Sequence, residues 1–130
     1  DGGYIVTGYT RSFGNGETDV WLIKTDTQGD TTWTTTFGGI GSEMGESIQQ
    51  TNNGGYIIAG RSGFDVLLIK TDSLGNVMKR LDFNEEQSNQ LYDINIKYND
   101  KTKTESYIGT GNIFNEYGNS EIWLIKAKLD

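Results

Sequence analysis

The chain has 130 residues, with 18 Asp plus Glu against 11 Lys plus Arg, a formal net charge of -7, and no His, Cys or Pro. These absences exclude a Ser-His-Asp or Cys-His nucleophile pair, a thiol redox couple, any disulfide and the usual nitrogen- and sulfur-ligated zinc site, and no other metal or cofactor motif is present. The acidic balance opposes nucleic acid and anionic membrane surfaces, whose binding rests on Lys and Arg, and no apolar stretch nears the roughly 20 residues that span a bilayer, so neither nucleic-acid binding nor membrane insertion is expected.

Short runs rich in Ile, Val, Thr, Tyr and Trp, bounded by Gly, Asn, Asp and Ser, predict strands along the whole chain. The first three are Gly3 to Thr10, the run from Asp19 through Lys24, and Gly29 to Phe37. Glu46 to Thr51, Gly55 to Arg61, Asp65 to Thr71 and Asn76 to Phe83 follow, and then Leu91 to Tyr98, Ser106 to Asn112 and Glu121 to Lys128. Helical periodicity is nowhere sustained. Asp72-Ser73-Leu74-Gly75-Asn76 has an acidic start and a Gly able to take positive φ, which predicts a tight hairpin with a bulge. Asp26-Thr27-Gln28-Gly29-Asp30 reads the same way, because it lacks the ligand order and terminal Glu of a calcium loop.

The elements repeat. Gly2-Gly3-Tyr4-Ile5-Val6-Thr7-Gly8 returns as Gly54-Gly55-Tyr56-Ile57-Ile58-Ala59-Gly60 and, more weakly, as Ser106-Tyr107-Ile108-Gly109-Thr110-Gly111. The Tyr spacings are 52 residues (4 to 56) and 51 (56 to 107). In step with them, Asp19-Val20-Trp21-Leu22-Ile23-Lys24 returns as Asp65-Val66-Leu67-Leu68-Ile69-Lys70 and as Glu121-Ile122-Trp123-Leu124-Ile125-Lys126. One period holds four strands, A to D, of which C is apolar almost without interruption, as a strand covered on both faces should be. A four-stranded antiparallel unit of this period is the blade of a β-propeller, an all-β radial fold, with a β-sandwich or β-solenoid as alternatives.

On this count the chain carries about 2.5 blades, at approximately 1–39 (strands B to D), 40–85 (A to D) and 86–130 (A to C). The expectation is the C-terminal part of a larger ring, with any leader removed or upstream and the remaining blades supplied by the same protein.

The segments Asp1 to Gly39, Gly45 to Gly60 and Asp65 to Val77 resemble a propeller-type repeat of secreted and cell-surface proteins of bacteria and archaea, with a pattern near DGGYIVAGYT…DVWLIKTDxxGN. In the third copy Glu105-Ser106-Tyr107 replaces the Gly-Gly-Tyr, and Lys79 stands where the first copy has Trp33. The resemblance implies an extracellular or cell-surface location, large adhesin-like parents and no established catalytic residue.

Propeller ligands usually meet the face formed by the B-C and D-A loops, placed here at Arg11 to Thr18, Ser62 to Phe64, Asn112 to Ser120, Gly38 to Glu43 and Asn84 to Asn89. Their candidate binding residues are Arg11, Phe13, Glu43, Arg61, Phe64, Glu86, Phe114 and Tyr117, since aromatic platforms with charged neighbours suit a glycan or a protein ligand. The alternative is that these rings plug gaps between blades while the charges keep the surface solvated.

Function is therefore expected to be non-enzymatic: a scaffold, or adhesion and ligand recognition through the loops. A hydrolytic propeller using paired carboxylates is the competing class, with Glu43, Glu46, Glu85 and Glu86 the acidic candidates. Gly38-Gly39-Ile40-Gly41 resembles a phosphate cradle in composition alone. Trp21 and Trp123 share the strand position of Leu67, which predicts a core role. Lys24, Lys70 and Lys126 recur at the end of strand C, a structural role such as pairing with Asp26 or Asp72. The longer polar link from Asn99 to Glu105 is expected to project as a hairpin tip.

Overall fold

A computed structural model of the chain describes residues 1–83, 89–99, 101–102, 104–114 and 117–128. It is all-β, with ten strands: β1 Ile5–Thr10, β2 Asp19–Thr25, β3 Thr31–Phe37, β4 Glu43–Gln50, β5 Tyr56–Ser62, β6 Asp65–Thr71, β7 Val77–Phe83, β8 Asn89–Asn99, β9 Thr104–Phe114 and β10 Ser120–Ala127. They form three antiparallel sheets, in the orders β1-β2-β3 (sheet 1), β4-β5-β6-β7 (sheet 2) and β10-β9-β8 (sheet 3).

The turn chemistry acts as the sequence predicts. Asp26 Oδ1 accepts from the N–H groups of Gln28 and Asp30, and Asp72 Oδ1 from those of Leu74 and Asn76, all at 2.9 Å. Gly29 and Gly75 take φ of 92° and 83°, which lets each hairpin reverse without a Cβ clash. The register then slips just inside each turn, between Lys24 and Thr25 and between Lys70 and Thr71. A second pair of bulges lies between Gly45 and Ser47 of β4 and between Leu91 and Asp93 of β8. The repeat in sequence is therefore a repeat in backbone geometry.

Sheet 2 is the middle layer. One of its faces contributes Tyr56, Ile58, Leu67 and Ile69 to a core shared with Val20, Leu22 and Phe37 of sheet 1. The opposite face contributes Ile57, Ala59, Val66 and Leu68 to a core shared with Ile94 and Tyr107 of sheet 3. Alternate residues of β6 thus point into different cores, which explains its unbroken apolar run. The strands nearest the junctions do most of the bridging: β4 meets β1 and β2, while β8 meets β4, β5 and β6. Gly45 permits the first approach, since a Cβ there would stand 2.2 Å from Thr7 Oγ1 and 3.1 Å from Val20 Cγ1.

Several expectations change. β4 begins at Glu43, ahead of the predicted start, because Glu43 pairs across to Ser62. Phe114, placed in a loop by sequence, ends β9, paired with Ser120. The link after Asn99 is short, as β8 and β9 both run further than predicted and Asn99 Oδ1 accepts from the N–H groups of Lys101 and Thr102. Lys24 and Lys70 do not pair with Asp26 and Asp72, whose carboxylates are held by their own turns. Lys24 Nζ meets Asp1 Oδ2 at 2.8 Å and donates to the Thr25 carbonyl, while Lys70 Nζ crosses to Glu105 of sheet 3 at 3.4 Å.

Candidate functional site

Antiparallel pairing sends the β1–β2, β3–β4 and β5–β6 connections to one end of the sheets, and there they are bonded together. The β1–β2 loop folds over Asp19, whose Oδ2 accepts from the N–H groups of Asn15 (3.0 Å) and Gly16 (3.2 Å). Thr18 bridges to Ser42 in parallel, the Glu17 N–H donates to the Gly41 carbonyl and the Glu43 N–H to the Thr18 carbonyl. The Gly63 N–H then donates to the Ser42 carbonyl, which brings in the β5–β6 turn.

Glu43 sits at the centre of this framework and is buried. Its Oε2 accepts from the Gly39 N–H at 2.9 Å and its Oε1 from Ser62 Oγ at 3.0 Å, with the Arg80 guanidinium 4.0 Å away. Asp19 is equally buried, and the two carboxylates converge on Gly38, where a Cβ would stand 1.9 Å from Asp19 Oδ1 and 2.8 Å from Glu43 Oε2. Gly38 is therefore needed for close approach to two carboxylates. Such a loop does not cradle phosphate, because the anionic positions are already filled from within.

The eight sequence candidates divide. Glu43 is committed to the loop framework. Arg61 lies across from Met44 on β5, its guanidinium 2.9 Å from Met44 Sδ and 3.7 Å from Glu46. Arg11, Phe64 and Tyr117 are exposed on the loops. Phe13 is also exposed, but it turns onto Trp21, with ring centroids 5.9 Å apart. Together with Thr34, Thr35 and Thr36 this pair lines an open recess of about 250 Å³. The Phe114 side chain and Glu86 lie outside what is described, as does Glu85. Trp21 is the residue that sequence reasoning misplaced: Leu67 is buried at the same repeat position, whereas the Trp21 indole is half-buried and donates to Thr34 Oγ1. The sign that could have found it is the Thr-rich β3 opposite, which offers hydroxyls where a core would offer methyl groups alone.

At the other end, Glu105 joins sheets 2 and 3. Its Oε1 accepts from the Asn52 N–H at 2.9 Å and its Oε2 from Tyr107 Oη at 2.8 Å, with Lys70 Nζ at 3.4 Å and above the Tyr107 ring. Burial pushes the Glu105 carboxyl up, but those hydrogen bonds and the Lys70 charge outweigh it and leave the group below its ordinary value.

No protein-family model matches the chain, and no curated protein is similar to it in sequence.

Proposed function

We propose that this chain is a non-enzymatic β-propeller module of an exported or cell-surface protein, which recognises a glycan or protein ligand through the loops at its β1–β2 and β3–β4 end. The observation that carries this reading is the loop framework itself. Loops of successive sheets are tied to one another through Asp19, Glu43 and main-chain bonds, so that Arg11, Phe64 and Ile40 are exposed on a rigid rim. A fixed scaffold carrying exposed rings and a guanidinium is the ordinary make-up of a recognition surface.

The propeller reading draws support from the recurring registers and bulges, from the middle sheet covered on both faces, and from the inward strands β4 and β8 that bridge between sheets. The exported location rests on the resemblance of the repeat. Hydrolysis is disfavoured by the state of its candidates, since Glu43 is buried with both oxygens bonded and Glu46 is paired with Arg61.

A glycan and protein array probed with the folded chain tests the proposal. Binding without turnover is expected, weakened about tenfold by Phe64→Ala or Arg11→Ala with the fold retained, as for central contacts of a recognition surface. Release of reducing sugar, or binding that ignores both substitutions, would overturn it.

A further inference from the structure

Asparagine followed by glycine occurs twice, at Asn15-Gly16 in the β1–β2 loop and at Asn53-Gly54 in the β4–β5 turn. The pair is chemically unstable. Glycine has no Cβ to shield its main-chain nitrogen, which can attack the carbonyl carbon of the asparagine side chain. The Gly nitrogen gives its proton to a base and bonds to Cγ, the C–N bond of the side-chain amide breaks, and ammonia departs from a five-membered imide. Water then opens the ring at either carbonyl and yields Asp or its β-linked isomer, so one water is consumed and one ammonia released, with no oxidant or cofactor. The step needs a side chain free to turn and an acceptor for the Gly proton.

Both asparagines are exposed, so access does not separate them. Their hydrogen bonds do. Asn53 Oδ1 accepts from Thr51 Oγ1 at 2.6 Å and from the Gly55 N–H at 3.4 Å, and the Gly54 N–H donates to the Thr51 carbonyl at 3.0 Å. Side chain and nucleophile are thus both held, the second by a neutral oxygen that cannot carry a proton away. Among the described residues no hydrogen bond holds the Asn15 side chain. The Gly16 N–H points at Asp19 Oδ2, 3.2 Å away, beside the Asn15 N–H at 3.0 Å. That distance is within the reach of a general base. Asp19 is 2% exposed and is held in place: a Cβ on Gly14 would stand 2.1 Å from its Oδ2, and one on Gly38 would stand 1.9 Å from its Oδ1.

We infer that Asn15-Gly16 is a site of spontaneous conversion to Asp and isoaspartate, with Asp19 taking the Gly16 proton, while Asn53-Gly54 is protected by its turn. Either product adds a carboxylate to the loop around Asp19, in a chain that already carries a net charge of -7. The isoaspartate also inserts a methylene into the main chain between two N–H groups that share one oxygen, so the pair no longer fits Asp19 Oδ2. The loop that carries Arg11 and Phe13 then loosens. This last consequence, a recognition rim that decays with age, rests on the function proposed above, whereas the conversion itself does not.

Ageing of the intact 130-residue chain in mildly alkaline buffer, followed by tryptic digestion and mass spectrometry, tests it. Asn15 falls in the peptide Ser12 to Lys24 and Asn53 in Thr25 to Arg61, so the mass change from amide to acid is read separately for each site. In the folded chain Asn15 should convert at least about tenfold faster than Asn53, the net worth of the hydrogen bonds that Asn53 must break. In guanidinium chloride the two rates should converge. Asp19→Asn keeps the size of the side chain but takes up no proton. It should slow conversion of Asn15 at least about tenfold, a modest share of what a positioned base supplies, and make the rate climb more steeply with pH because hydroxide must then remove the proton. A loop that is merely exposed would instead convert faster once Asp19 releases it, so a rate unchanged or raised in Asp19→Asn overturns the inference, as does Asn53 converting as fast as Asn15 in the folded wild type. Should Asp19→Asn fail to fold, the wild type decides alone: conversion of Asn15 that is slower in the folded chain than in guanidinium chloride overturns the role of Asp19. Conversion in a chain that binds nothing on the array at any age would remove the recognition reading and leave the site in place.

Discussion

β2 and β6 are nearly the same peptide, Asp-Val-Trp-Leu-Ile-Lys-Thr and Asp-Val-Leu-Leu-Ile-Lys-Thr. In β6 four consecutive apolar residues are buried, because sheets 1 and 3 lie on either side. In β2 burial alternates across the same stretch, since only the side facing sheet 2 is covered. An apolar run that looks like one continuous core element is thus two interleaved half-interfaces. Each is satisfied only when the corresponding neighbour is present. The burial of a repeat residue is decided by its place in the stack and not by its identity, and local propensity works equally well at all three positions.

The largest effect expected from this comparison comes from truncating one repeat position in two settings. Leu68→Ala opens a cavity between sheets 2 and 3 and should cost about 3 kcal/mol. Leu124→Ala, at the same position of the outer sheet, should change the stability of the dilute monomer by less than about 0.5 kcal/mol. Urea unfolding of both variants measures the difference, and equal losses would show that the two faces are not distinguished by burial. Next in size is Asp19→Ala, which leaves the Asn15 and Gly16 N–H groups without their carboxylate and should cost about 2 kcal/mol, as for hydrogen bonds to a charged group. Hydrogen exchange should quicken at 11–18, and protection unchanged there would count against the loop framework.

The smallest effect concerns the junction of sheets 2 and 3. Glu105 has a folded value below its unfolded one, so its contribution is complete above the ordinary glutamate range, about 4.3, and is lost as pH falls through the depressed folded value. Glu105→Gln should lower stability by about 1 kcal/mol at pH 7 and flatten the acid limb. Urea midpoints at pH 7 and pH 3 check this: wild type and variant should converge at the lower pH, and a gap that persists there would assign the loss to packing.

Much of this was legible in the chain. β6 falls on the predicted Asp65 to Thr71, and the hairpins at Asp26 and Asp72 form as their residues dictate. The arrangement of three, four and three strands follows from the repeat count. What sequence reasoning missed is relational. Glu43 looked like a loop carboxylate open to ligand, but its neighbours across β5 and in the β3–β4 loop enclose it. Asp19 carried no functional signal, although it holds the β1–β2 loop shut. Lys70 found Glu105, some 35 residues further along, and not the nearby Asp72.

The division has a physical cause. Strand alternation, turn geometry and bulges depend on residues within a few positions of one another, and the hydrogen-bonding and steric preferences of those residues settle them wherever the unit occurs. Those the sequence determined by itself, wherever the same residues recur. Which face of each sheet is dry, which carboxylate is enclosed and which lysine reaches which acid depend on the unit lying alongside. Only the tertiary structure decided them, because burial and pairing across sheets are properties of the stack and are written in no single repeat.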